Sequence, residues 1–162
     1  AILTALRGKR RVWVAAAEDY FFNTASKRIV FGKLFDAIPF DRQADGVQGL
    51  RKCGEALCKG DGLLLFPEGT RSLNGRIQPF KIGAVVLAVE RNAPIIPVYI
   101  HRAFERMRKG RRLPSPGPIG VTFGPSIAVP SLADNVDPYP IFQELTRTLQ
   151  RSVAELARSP VG

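Results

Sequence analysis

The longest apolar run of the 162-residue chain, residues 82–89, sets the strongest limit on its fold. It is far shorter than the ~20 residues a membrane span requires, so it predicts a helix buried in a protein core. The stretch from Phe80 to Glu90 is almost wholly apolar apart from Lys81 and reads as this buried helix. A helix apolar on every side is buried on every side, and Gly83 predicts a close approach by a neighbouring element. Around this run, strand-like and helix-like stretches alternate. Residues 12–15, 63–66, 95–100 and 121–123 read as strands, the second of them buried. Ile38-Pro39-Phe40 is short, and Pro39 restricts it to a sheet edge. Val47, Leu50, Cys53 and Leu57 trace a helix capped by Asp45 and ended near Gly60. Phe142, Leu145, Leu149, Val153 and Leu156 form the stripe of a last helix. The order predicts a single α/β domain over residues 1–162, its largely parallel sheet flanked by helices.

Composition removes several classes. Hydrophobic content is 45% and charged content 23%, values of a folded domain rather than a disordered tail. Cys53 and Cys58 are too few for a zinc site; five helical residues turn the chain ~500°, so the thiols face different sides. A reducing environment follows. Lys and Arg number 24 against 14 Asp and Glu, a net charge of +10. That charge leaves three anionic partners open: nucleic acid, a phosphate-bearing substrate, or an acidic membrane surface. Its densest part is Arg102, Arg106, Arg108, Lys109, Arg111 and Arg112 against Glu105 alone, with Phe104 and Met107 interleaved. Such a loop suits an anionic bilayer or plain solvation. Nothing like a helix-turn-helix, zinc finger or RNA-binding aromatic pair accompanies it, so nucleic acid is set aside.

Chemistry concentrates in Phe66-Pro67-Glu68-Gly69-Thr70-Arg71-Ser72, just beyond a predicted strand, where open α/β sheets place their ligand crevices. Gly69 permits an unusual backbone angle, Arg71 offers a rigid fork of donors, and Thr70 and Ser72 add hydroxyls. Glu68 either orients a substrate hydroxyl or neutralises the arginine. The pattern reads as a phosphate or carboxylate site, or as a strand-to-helix turn with a structural Glu–Arg pair.

This segment resembles the signature of the glycerolipid acyltransferases, the lysophosphatidate and glycerol-3-phosphate acyltransferases. Ile38-Pro39-Phe40-Asp41-Arg42 is similar to the family's second block and residues 95–100 to its fourth; Phe80-Lys81-Ile82-Gly83 resembles the stretch after the third. The resemblance implies an acyl group passed from an acyl thioester, acyl-CoA or acyl-ACP, to a lysophospholipid or glycerol phosphate hydroxyl, with no further cofactor and no metal. It implies that Phe40, Arg42, Phe66, Pro67, Gly69, Thr70, Arg71, Ser72 and Lys81 bind the acceptor and that Glu68 serves catalysis. Ile96, Pro97 and Val98 would lie on the acyl side. Peripheral or monotopic placement on the cytoplasmic face of a membrane is implied as well.

One departure stands out. The family's first block is His-x4-Asp, whose histidine acts as general base, and the chain's single histidine is His101, followed five residues later by Arg106. Ile2, Leu3 and Leu6 suggest a helix without an N-cap before Gly8. The expectation is therefore a domain lacking its N-terminal catalytic segment and inactive alone. A surface or structural role is expected for His101. A non-catalytic lipid-binding domain is the alternative.

Overall fold

The computed structural model describes residues 11–17, 37–40, 46–108, 110–111, 113–133 and 135–159. The suggested opening helix, and Asp41, Arg42, Asp45, Lys109 and Arg112, lie outside the described residues.

β1 (Val12–Ala17) is the middle strand of three, parallel to β2 (Ala37–Phe40) on one side and to β3 (Gly62–Leu64) on the other. Pro39 stands opposite Ala16 on β2, the outer strand of the three among the described residues, the position expected of a proline-bearing strand. From β2 to β3 the chain passes through α1 (Gly46–Cys53) and α2 (Glu55–Cys58), and Gly60 turns it with a φ of 77°. Arg51 and Lys52 fall in the last turn of α1, where positive charge complements the helix dipole.

α3 (Gly83–Glu90) is the buried helix, beginning at Gly83 rather than Phe80. β4 (Val98–His101), the short α4 (Ala103–Arg106), β5 (Gly120–Phe123) and the long α5 (Tyr139–Leu156) follow. The parallel expectation holds for β1, β2 and β3. β4 and β5 instead make a separate antiparallel pair, from Val98 opposite Phe123 to His101 opposite Gly120. Its extension through Ile95, which exchanges backbone bonds of 2.9 and 2.8 Å with Ile127, is interrupted at Pro97. Proline has no N–H to give, so the strand expected over 95–100 is shortened at its start and runs on to His101. Residues 63–66 are likewise less buried than expected: Leu63 and Leu65 are half-buried and Phe66 is 53% exposed. The basic stretch also contains the helical turn α4, entered through Arg102 at a φ of 62°.

α3 sits at the centre. Its Val85, Val86 and Val89 pack with Phe142, Leu149 and Val153 of α5. Its Leu87 packs with Leu50 and Cys53 of α1 and Ala15 of β1. Each such large side chain stabilises the fold by about 1.5–3 kcal/mol when fully buried. The helices also interlock through glycines. A β-carbon on Gly83 would stand 2.7 Å from Leu50 Cδ1, and one on Gly54 the same distance from Leu87 Cδ1. Arg51 of α1 and Glu90 of α3 close the rim of this contact with an exposed ion pair. The single helix expected through Cys53 and Leu57 is broken at Gly54, so Cys53, buried, ends α1 and Cys58, exposed, ends α2; burial pushes the Cys53 thiol up to about 11.

Candidate functional site

Parallel pairing sends β2 and β3 out of the sheet at the same end. Phe40 closes β2 opposite Ala17, and Leu64 closes β3 beside Val14, so both conserve the same exit direction for the segments that follow. The third sequence block therefore begins at the carboxyl end of a parallel sheet, the usual side for a ligand crevice. Backbone geometry describes Phe40; Arg42 lies outside the described residues.

Beyond Leu65 the chain turns at once. The Gly69 N–H donates to the Phe66 carbonyl at 2.9 Å, with Pro67 at the second position of the turn, where its fixed φ is favoured. Gly69 has a φ of 69°, and a β-carbon there would lie 3.2 Å from both Cε and Nζ of Lys81. The glycine thus admits the turn and leaves room for the lysine against the backbone. Lys81 is held by its own main chain, its N–H donating to the Pro67 carbonyl at 2.9 Å. One residue earlier, the Phe80 N–H donates to Gln150 Oε1 of α5 at 3.2 Å. Residues 67–81 are therefore one closed loop with Lys81 at its neck.

Glu68 ties the loop a second time: its Oε2 accepts the Gln78 N–H at 3.0 Å. Partial burial raises the carboxyl above the ordinary glutamate range, a shift the Gln78 hydrogen bond partly offsets. Glu68 thus engages the loop backbone, where a Glu–Arg pair had been one expectation. Ser72 Oγ donates to the Arg76 carbonyl at 2.9 Å, and Asn74 Oδ1 accepts the Arg76 N–H at 3.0 Å. The serine hydroxyl is turned inward, while Thr70 is exposed.

Arg71 is half-buried and reaches across to the basic stretch, its Nη1 donating to the Arg108 carbonyl at 3.2 Å. The ring of Phe104 lies against Gly75, whose φ is 79°, and under the Arg108 guanidinium at 5.0 Å. The motif loop and the segment after β4 are thus one continuous surface, although the sequence reading treated them apart. Glu68, Gly69, Arg71 and Lys81 are brought onto a single loop. Ile96, 56% exposed, the fully buried Pro97, and Val98 belong to the β4–β5 ribbon, where the Pro97 carbonyl accepts the Gly124 N–H at 2.9 Å. His101 is buried in the same ribbon, 3.0 Å from Thr122 Oγ1 through Nε2 and edge-on to Tyr99.

Sequence reasoning missed Gln78, Phe104 and Gln150. Phe104 stood out only as an apolar residue among arginines, and no local pattern marks either glutamine. Among the described residues no three His, Cys, Asp or Glu side chains come together to hold a metal ion, and no helix is long and apolar enough to cross a membrane. Chemically, the loop carries an ammonium against its glycine turn and an arginine whose guanidinium reaches the Arg108 carbonyl, and both cation types can pair with a phosphate.

Comparison with known proteins bears on this arrangement. The family model described as Acyltransferase matches residues 1–101. A 1-acyl-sn-glycerol-3-phosphate acyltransferase of Limnanthes douglasii is 36% identical over 98 residues, covering 59% of this chain and 35% of that protein. The 1-acyl-sn-glycerol-3-phosphate acyltransferase alpha of Homo sapiens is 30% identical over 132 residues, covering 75% of this chain and 46% of that protein. The chain thus spans less than half the length of these relatives. Among solved structures, the 1-acyl-sn-glycerophosphate (LPA) acyltransferase PlsC of Thermotoga maritima superposes with a TM-score of 0.64 at 22% identity, over 94% of this chain and 59% of that one. The likeness to that structure is one of fold.

Proposed function

This chain belongs to the acyltransferase family, and on that premise we propose that loop 67–81 binds the acceptor of a phospholipid-forming acyl transfer. The acceptor is lysophosphatidate or a related glycerol phosphate, and the donor is an acyl thioester, acyl-CoA or acyl-ACP. The observation that carries this reading is Lys81 packed over Gly69, on the same closed loop as Arg71. The acceptor phosphate pairs with these two cations, Arg42 adding a third from the second block. Thr70 and the exposed Phe66 flank the entrance, and Ile96, Pro97 and Val98 contribute on the acyl side.

In the reaction the acceptor hydroxyl loses its proton to a general base and its oxygen attacks the thioester carbonyl. The new ester C–O bond forms as the C–S bond breaks, and the thiolate leaves with the carrier. The carrier is a co-substrate, so the step calls on no further cofactor. Glu68 supports this chemistry by holding the loop through Gln78. The 162 residues contain no His-x4-Asp pair, and His101 is committed to the ribbon. This chain alone is therefore expected to bind acceptor without turning it over. The same absence favours, as a second reading, a lipid-binding domain without catalysis. We place the protein on the cytoplasmic face of a membrane, peripheral or monotopic.

Calorimetry with a short-chain, monomeric lysophosphatidate tests the acceptor site. Binding is expected, with Arg71→Ala weakening it about tenfold or more through loss of a charge-assisted contact. Equal affinity for the monoacylglycerol that lacks the phosphate would overturn the assignment. Turnover by this chain alone would overturn the account of the base. Acyl transfer by a chain carrying a His-x4-Asp pair, against none, separates the enzyme from the lipid-binding reading.

A further inference from the structure

We infer that loop 71–76 and the described residues between Arg102 and Ile119 form one docking face for an anionic bilayer, with Leu73 and Leu113 as the inserted residues. The choice of a lipid partner rests on the lipid-acceptor reading above; the face itself rests on separate observations. Leu73 is 75% exposed and Leu113 78%, the two most exposed large apolar side chains among the described residues. They do not sit on unrelated loops. Leu73 is two residues beyond Arg71, whose guanidinium bonds the Arg108 carbonyl, and Gly75 packs on the Phe104 ring. Leu113 lies two residues beyond Arg111 and precedes a stretch that Arg106 fastens: the Arg106 guanidinium donates to the Pro116 and Pro118 carbonyls, and its backbone carbonyl accepts the Ser115 N–H. Ile119, 44% exposed, ends that stretch.

Charge completes the pattern. Arg76, Arg102, Arg108 and Arg111 are exposed on the same two segments, and Glu105 is the acid among them. Exposed leucines and exposed arginines on the same two joined segments match the interface of an anionic bilayer, where apolar tips enter the acyl boundary and cations meet phosphates. Nucleic acid would use the arginines and leave both leucines in water. A solvated loop would need neither leucine nor the internal fastening by Arg71 and Arg106. One consequence is that insertion of Leu73 would bring Arg71, two residues away in the chain, towards the headgroups, where the phosphate of a lipid acceptor lies.

The test is co-sedimentation of the purified protein with phosphatidylcholine vesicles, with and without phosphatidylglycerol, both free of lysophosphatidate. Partition onto the anionic vesicles and little onto neutral ones is expected. Leu73→Ser with Leu113→Ser is expected to lower it about tenfold or more. Arg108→Gln and Arg111→Gln are each expected to lower it roughly fivefold. All four side chains are exposed, and unchanged Trp13 fluorescence would establish that the variants fold. Unaltered partition of the leucine variant would overturn the inference, as would equal binding to neutral vesicles. Stronger binding to random duplex DNA, insensitive to the leucines, would assign the surface to nucleic acid instead. Because the vesicles contain no acceptor, loss of lysophosphatidate binding with vesicle binding intact would defeat the acceptor reading alone.

Discussion

Glu68 shows how one carboxylate serves a loop rather than a neighbouring cation. Its Oε2 holds the Gln78 N–H, and burial raises its protonation above the ordinary range. A carboxyl whose pKa is raised by folding favours the folded state while protonated, and that contribution is lost as pH rises through the raised value. Glu68→Gln keeps an oxygen for the Gln78 amide and carries no charge to desolvate. The variant is therefore expected to match or exceed the wild type in stability at neutral pH. Its advantage should vanish as pH falls into the ordinary glutamate range. Glu68→Ala leaves the amide unpaired and is expected to cost about 1–3 kcal/mol, most at low pH, where the wild-type carboxyl is protonated. Urea midpoints from pH 4 to 8 check all three (roughly 1–3 kcal/mol per molar converts them). A wild type more stable than Glu68→Gln at pH 7 would contradict the account. At this scale the sequence marked Gly69 and Arg71 by their own local chemistry, and Lys81 only through the resemblance of residues 80–83 to the family's stretch after the third block. It could not mark Gln78 or Gln150, because a glutamine's partner is chosen by chain distant in sequence.

Between elements, α1 and α3 fit through two reciprocal contacts, Leu87 against Gly54 and Leu50 against Gly83. Gly54 has a helical φ of −66°, so alanine there meets no backbone penalty, only lack of room. Its β-carbon would also stand 3.0 Å from Arg91 Nε and 3.1 Å from the Arg51 carbonyl. Leu87 is almost wholly buried and has nowhere to retreat. Gly54→Ala is therefore expected to destabilise by about 1–3 kcal/mol of overpacking. Gly83→Ala meets only the end of Leu50, and alanine recovers up to about 1 kcal/mol of helix propensity. It should cost less than Gly54→Ala. Thermal or urea unfolding of the two variants decides the order, and equal or inverted losses would refute the packing argument. The close approach at Gly83 was legible because a glycine in an apolar helix invites one. Gly54 was not, since it reads as one more residue of a helical stripe. The antiparallel pairing of β4 and β5 was equally hidden, because an apolar run states that a strand exists but not which way its partner runs.

Across the whole molecule, α3 is the joint between two packed groups that otherwise use different elements. One face holds Phe142, Leu149 and Val153 of α5, the other Leu50 and Cys53 of α1 with Ala15 of β1. The apolar run from residue 82 foretold a central helix, and the alternating order foretold the layers around it. The join between the motif loop and the basic segment was not foretold, because Arg71 meets Arg108 across 37 residues of chain. A helix shared by both groups also predicts how the molecule unfolds. The chain has one tryptophan, Trp13 on β1, whose indole N–H donates to Asp61 Oδ2 at 2.9 Å and whose ring lies under the Arg11 guanidinium. Its fluorescence reports the sheet side of α3, while Leu149 lies in the group on the far side. Leu149→Ala is expected to cost about 2–5 kcal/mol through lost burial and the cavity left behind. If α3 couples the two groups, the Trp13 transition must move to lower urea by the same amount as the helical circular dichroism signal. A Trp13 midpoint that stays in place while the helical signal shifts would mean that α5 opens by itself. The shared helix favours coincident transitions, because Val85, Val86 and Val89 cannot lose α5 without also disturbing Leu87 on the same eight-residue helix.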